Sequence, residues 1–162
     1  MGPVPFPIPS DEALRASTLA DYHVLESPPE LEFDRLVQLA SRLFSVPIAL
    51  ISLVASDRQV FKARVGLDVC ETDRDVSFCA HAILSDEVMV VPDALEDPRF
   101  AANPLVLGAP FIRFYAGYPL RGPGGWTVGT LCVIDQKPRG FSPQDGRFLR
   151  KLARLVEDEI NS

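Results

Sequence analysis

Ile48-Ala-Leu-Ile-Ser-Leu-Val54 is a seven-residue, almost wholly apolar run, preceded by Pro47 and followed by Ser56-Asp57-Arg58. It is rich in strand formers and too short for a buried helix of ordinary length, so it reads as a central β-strand. Beyond the turn, Phe61, Ala63 and Val65 alternate with Lys62 and Arg64, the period-two mark of a half-solvated strand, and the two strands make a hairpin. On the N-terminal side, Phe33, Leu36, Val37, Ala40, Leu43 and Phe44 recur at helical spacing, with Asp34, Arg35, Gln38 and Arg42 between them. This is an amphipathic helix, and Ser27-Pro28-Pro29-Glu30 supplies its start: a capping hydroxyl, proline for the first turn and a glutamate three residues on.

Further out, the segment Asp11 to Leu25 spaces Leu14, Leu19, Tyr22 and Leu25 for another helix, behind a disordered Pro-rich lead-in over residues 1–10. Downstream, Val88 to Val91 is a short apolar run, and Asp97-Pro98, Asn103-Pro104 and Pro110 punctuate a long connection of the kind that often carries function. Phe111 to Leu120 and Trp126 to Ile134 are β-rich and joined by a glycine loop, Arg121 to Gly125. Ser142-Pro143-Gln144-Asp145 repeats the cap-and-proline signal. After it Phe148, Leu149, Leu152, Leu155, Val156 and Ile160 form the apolar stripe of a helix over 142–160. The expected architecture is α+β: one domain over 11–162, an antiparallel sheet with helices gathered on one side.

The chain has 162 residues with a net charge of -6, and its 16 Lys and Arg look scattered along the sequence, which speaks against nucleic acid as a partner. No apolar run has the length of a membrane span and the N-terminus lacks the pattern of a signal peptide, so a cytoplasmic location is expected. Three cysteines without CxxC spacing favour neither a disulfide framework nor a structural zinc site.

A run of fragments carries a family resemblance: Tyr22-His-Val-Leu-Glu-Ser-Pro-Pro-Glu30, Phe33-Asp-Arg-Leu36, the run 48–54, Asp57-Arg58-Gln59, Ser77-Phe-Cys-Ala-His-Ala-Ile83, Asp97-Pro-Arg-Phe100, Ile112-Arg-Phe-Tyr-Ala-Gly117 and Gly129-Thr-Leu-Cys-Val-Ile-Asp135. In that order they resemble a GAF domain of the bacterial kind found beside histidine kinases and diguanylate cyclases. The resemblance implies a central antiparallel sheet, with the first and last helices on one face and a small-molecule pocket on the other, walled by residues from about Gly66 to Pro110. It also implies a sensory role in a homodimer whose terminal helices signal to an output domain, such as a histidine kinase or diguanylate cyclase, in cis or in trans.

Beside the expected pocket, Phe78, Cys79 and His81 form the most pointed cluster. His81 either contacts a ligand or its water, or is satisfied by local backbone. Cys79 is a small core residue or a reactive thiol, whereas Cys132 reads as strand core and Cys70 as a loop thiol. Asp97 and Arg99 lie on a loop that could close over a ligand, and Arg113 enters the next strand with Tyr115 on its face. Arg99 or Arg113 would suit an anionic ligand by paired hydrogen bonds, or Arg113 would pin the loop through Asp93 or Asp97. Phe78, Cys79, His81, Asp97, Arg99, Arg113 and Tyr115 are therefore the candidate ligand-binding residues; no catalytic or metal-ligating set and no cofactor is named by the sequence. The expectation is a sensor without catalysis. Two alternatives remain open: a thiol enzyme like free methionine-(R)-sulfoxide reductase, using Cys79 with Cys70, and a ligand-free dimerisation module. The reductase's catalytic cysteine has no counterpart in the loop around Asp97 to Asn103.

Overall fold

A computed structural model describes residues 8–9, 11–16 and 31–161. Residues 12–16 are helical; the remainder of the helix expected to Leu25, the Ser27 to Glu30 start and most of the lead-in over 1–10 lie outside the described residues. The first full helix is α1, Leu31–Phe44. It is followed by β1 (Ile48–Val54), β2 (Arg58–Val65) and β3 (Glu71–Asp73). The chain then crosses through a 3-10 turn, Arg74–Val76, the one-turn helix α2 (Cys79–Ala82), β4 (Met89–Val91) and the one-turn helix α3 (Pro104–Leu107). β5 (Phe114–Arg121), β6 (Thr127–Asp135) and α4 (Pro143–Ile160) complete it.

The six strands form one sheet in the order β3-β2-β1-β6-β5-β4, and every neighbouring pair is antiparallel. β1 lies near the middle and is buried along its whole length, as its almost wholly apolar run requires. α1 and α4 pack together on one face. Phe33, Val37, Ala40 and Phe44 of α1 and Leu149, Leu152, Ala153, Val156 and Ile160 of α4 meet Ala49, Ile51, Leu131, Val133, Phe114, Ala116 and Leu120 in one core. The α4 start is a capping box: Ser142 Oγ accepts from the Asp145 amide and Asp145 Oδ2 from the Ser142 amide, each at 3.0 Å.

Six sequence readings change. β5 begins at Phe114, because Phe111 has a positive φ of 59° and the segment to Arg113 is still irregular; β6 begins at Thr127 rather than Trp126. β2 starts at Arg58, and β3, a polar three-residue edge strand on it, has no apolar pattern to announce it. Leu43, Phe148 and Leu155 belong to the helical stripes by spacing but are exposed. Arg147, Arg150, Lys151 and Arg154 are exposed at helical spacing and line one shallow hollow on α4, so part of the basic charge is striped, not scattered.

Candidate functional site

On the sheet face opposite α1 and α4 is a second apolar cluster that includes Ile48, Leu50, Phe61, Tyr115, Cys132 and Ile134 from the strands. α2, α3 and the connections around them cover it, leaving a partly open cavity of about 410 Å³. The floor residues come from alternate positions of β1, β5 and β6, the other half of the pleat that feeds the helical core. Residues 66–69, Leu105, Ala109, Pro110 and Ile112 form the outer wall, and Phe78 and Cys79 the wall from the α2 side.

The polar groups are few and already organised. Gln59 Oε1 accepts from Ser52 Oγ (2.9 Å) and Ser77 Oγ (2.8 Å), and Gln59 Nε2 donates to Thr72 Oγ1 (2.6 Å). Ser77 Oγ also accepts the Ala80 amide, which fixes the start of α2. Deeper in, Thr130 Oγ1 donates to Cys79 Sγ at 3.0 Å, and the Tyr115 hydroxyl lies 3.1 Å from the same sulfur. Burial pushes the Cys79 thiol up, but hydrogen bonding by its neighbours, Cys132, Thr130 and Tyr115 foremost, outweighs it and holds the group at about 7. Cys132 moves the other way, first through its hydrogen bond to Cys79 and then through burial. Tyr115 is pushed well above its usual value by burial and by the neighbouring thiol, so its hydroxyl stays a donor.

Among the described residues no Lys, Arg or His lines this cavity, while Asp68 and Glu71 sit on its wall. Phe78, Cys79 and Tyr115 are thus brought together there; His81, Asp97, Arg99 and Arg113 are not. Asp97 and Arg99 form an ion pair at 2.8 Å, and the Arg99 guanidinium stacks over Phe100, 5.0 Å from the ring centroid. His81 meets the same ring edge-on at 4.8 Å. These three side chains cluster around Phe100, whose ring also stacks on Phe78 at 4.0 Å. Arg113 pairs with neither Asp93 nor Asp97 but donates to the carbonyls of Val106 (2.9 Å) and Ile112 (3.0 Å). Its role is to hold α3 against the start of β5, and the expected anion clamp is absent from the cavity.

Sequence reasoning missed Gln59, Ser52 and Thr130, which lie inside or beside apolar strand runs, Thr72, which lies in the polar edge strand β3, and Gly117, which makes room for the Tyr115 phenol. The only signal available was period two: Thr130 with Cys132 and Tyr115 with Gly117 each share a strand face. Cys70 is exposed and does not line the cavity, so Cys79 does not find its thiol neighbour there. Among the described residues no group of three or more His, Cys, Asp or Glu could hold a metal ion, and no helix is long and apolar enough to cross a membrane.

A family model described as GAF domain matches residues 28–160. A cyclic di-GMP phosphodiesterase of Pseudomonas aeruginosa is 45% identical over 157 residues; the match takes in 96% of this chain but only 27% of that protein's length. The GAF domain of a Coxiella burnetii phosphoenolpyruvate-protein phosphotransferase superposes with a TM-score of 0.66 at 16% identity, covering 90% of this chain and 92% of that one. Free methionine-R-sulfoxide reductase from Neisseria meningitidis, solved with its substrate, superposes with a TM-score of 0.65 at 20% identity, covering 99% and 96%.

Proposed function

The chain belongs to the GAF domain family, a family of signalling domains, and on that premise we propose that it is a sensor for a small, neutral, largely apolar molecule bound in the cavity on the α2 side of the sheet. The observation that carries this reading is the composition of the cavity wall: apolar, with a short hydroxyl and amide array, two carboxylates and no cation. A carboxylate or phosphate would enter without a counter-charge and beside Asp68 and Glu71, which disfavours it. Cyclic di-GMP, a bis-phosphate, is therefore the signal handled by an output domain and not the occupant of this cavity. The likeness to the P. aeruginosa phosphodiesterase supports an output in cyclic di-GMP turnover; a histidine kinase or a diguanylate cyclase is served by the same mechanism. In this reading the chain turns over no substrate and works in the cytoplasm as a homodimer.

Transmission follows the wall. Ser77 precedes α2 and its amide bonds the carbonyl of Arg74, whose guanidinium grips Glu12 in the N-terminal helical segment. A ligand that contacts Phe78 and the Gln59 array better in one position of α2 shifts the population of that position, and Arg74 carries the displacement to the N-terminal segment.

A matched pair of dyes tests the charge rule: N-phenyl-1-naphthylamine, which is neutral, and its sulfonate, 8-anilinonaphthalene-1-sulfonate. Fluorescence titration of the full chain gives enhancement with the neutral dye and at least tenfold weaker binding of the sulfonate. Leu105→Trp, which fills the outer wall, abolishes the neutral dye's signal. Equal binding of both dyes overturns the charge rule, and binding unaffected by Leu105→Trp overturns the site.

A further inference from the structure

Two thiols line the cavity from different elements, one in the α2 wall and one on the floor. Cys79 opens α2 and Cys132 lies on β6, and both line the cavity. Cys132 shares a strand face with Thr130, whose hydroxyl meets Cys79 Sγ, and is in register with Gly117, over which lies the Tyr115 hydroxyl that meets the same sulfur. Neither thiol is exposed at the protein surface, so small molecules reach them through the cavity. Around Cys79 Sγ the Thr130 hydroxyl, at 3.0 Å, and the Tyr115 hydroxyl, at 3.1 Å, are poised to donate to a thiolate or to an oxygen attached to it. We propose that Cys79 and Cys132 are a peroxide-reactive pair, which hydrogen peroxide entering the cavity converts to a disulfide joining α2 to β6.

The chemistry closes with these groups and the named oxidant. The Cys79 thiolate attacks one peroxide oxygen; an S–O bond forms, the O–O bond breaks, and hydroxide leaves, taking a proton to become water. The Cys132 sulfur then attacks the sulfenic sulfur, forming the S–S bond as the S–O bond breaks and a second water departs. The two thiols lose two electrons and two protons, and the peroxide is reduced to two waters. Cys79 is the attacking thiol because its hydrogen-bond donors hold it at about 7, and Cys132, pushed up, is the resolving one. Cys70 is exposed and lies off the cavity, so it takes no part. The disulfide would fix the α2 wall to the sheet, a redox control independent of any ligand.

The test uses the full chain carrying Cys70→Ser, which removes the surface thiol. Treatment with hydrogen peroxide is expected to lower the intact mass by two hydrogens, reversibly with dithiothreitol, and digestion without reductant to release a Cys79–Cys132 linked peptide. The rate rises about tenfold from pH 6 to pH 8, as the thiolate fraction of a group near 7 requires. Adding Cys132→Ser diverts the product to an added oxygen on Cys79. Peroxide that adds oxygen to Cys79 while Cys132 is present, or a folded protein whose thiols react only after denaturation, overturns the pair. The linked-peptide result on the Cys70→Ser chain decides the question even if the second variant fails to fold.

Discussion

Glu12 and Arg74 stand 62 residues apart in sequence, and the carboxylate of one binds the guanidinium of the other through both oxygens. The same carboxylate accepts from Arg15 at 2.9 and 3.0 Å. Both guanidiniums are about 1% exposed, and they also donate to the carbonyls of Val54 and Ala55 at the end of β1. One carboxylate therefore docks the N-terminal segment, the β1–β2 turn and the approach to α2. Burial raises the Glu12 carboxyl, but the bonds to Arg15 and Arg74 outweigh it and hold the group at about 2, against a usual 4.5. A depressed carboxylate stabilises the fold fully above its unfolded value and loses that contribution as pH falls toward 2. Glu12→Gln leaves two buried cations facing each other and is expected to cost about 3 kcal/mol in urea unfolding at pH 7. The variant also unfolds less steeply than the parent between pH 4.5 and 2.

His81 has the opposite sign of dependence. Burial and the nearby Arg99 charge lower its pKa, more than Asp97 raises it, so folding disfavours the imidazolium. The unfolded chain binds the proton more readily, and stability falls as pH drops below about 6.5, the unfolded value for histidine. His81→Phe keeps the edge contact with Phe100 and removes the titration. Urea midpoints at pH 7.5 and 5.5 are expected to differ less for this variant than for the parent; an equal difference refutes the assignment.

The strands and helices that form the cores were legible because burial imposes a period on sequence. β1 is apolar at every position but Ser52 since both its faces are covered, and α4 announces itself by Ser142-Pro143 and its stripe. β3 was not legible, because a three-residue polar edge strand has no apolar alternation to mark it. The site was half legible. Tyr115 could be assigned to a strand face by counting in twos, but α2 is a single turn, and its direction is set by Ser77 and Gln59 from elsewhere in the fold. Ser77, tied to Gln59 of β2, aims the turn so that Phe78 and Cys79 reach the cavity while His81, two residues on, turns to Phe100 and Arg99. Arg113 looked like an anion ligand because a guanidinium suits carboxylates and backbone carbonyls equally well, and only the fold selects between them.

Arg113→Ala separates those two roles. Its hydrogen bonds go to the carbonyls of Val106 and Ile112, so truncation should cost about 1–3 kcal/mol, the scale of hydrogen bonds to a charged donor. The affinity for N-phenyl-1-naphthylamine is expected to stay within about twofold, because the guanidinium does not line the cavity. A large loss of dye affinity with unchanged stability would return Arg113 to the ligand site.

Gly117→Ala tests how the Cys79 thiol is tuned. Gly117 and Tyr115 share a strand face, and a Cβ on Gly117 would lie 2.2 Å from the Tyr115 hydroxyl oxygen and 2.7 Å from the ring. The ring is fully buried and packs on Phe78 with centroids 5.2 Å apart, so the phenol can give way only toward the cavity it lines. The added methyl therefore costs about 1–3 kcal/mol, as for other overpacked cores, and displaces the phenol from Cys79. With that donor lost, the thiol titrates higher, because hydrogen bonds to the thiolate are what offset its burial. Iodoacetamide labelling of Cys79 in the Cys70→Ser background, followed by peptide mass spectrometry across pH, reads this directly. The midpoint is expected near 7 in the parent and to move upward in Gly117→Ala. A midpoint that stays in place despite the loss of stability shows that Thr130 and Cys132 tune the thiol without Tyr115.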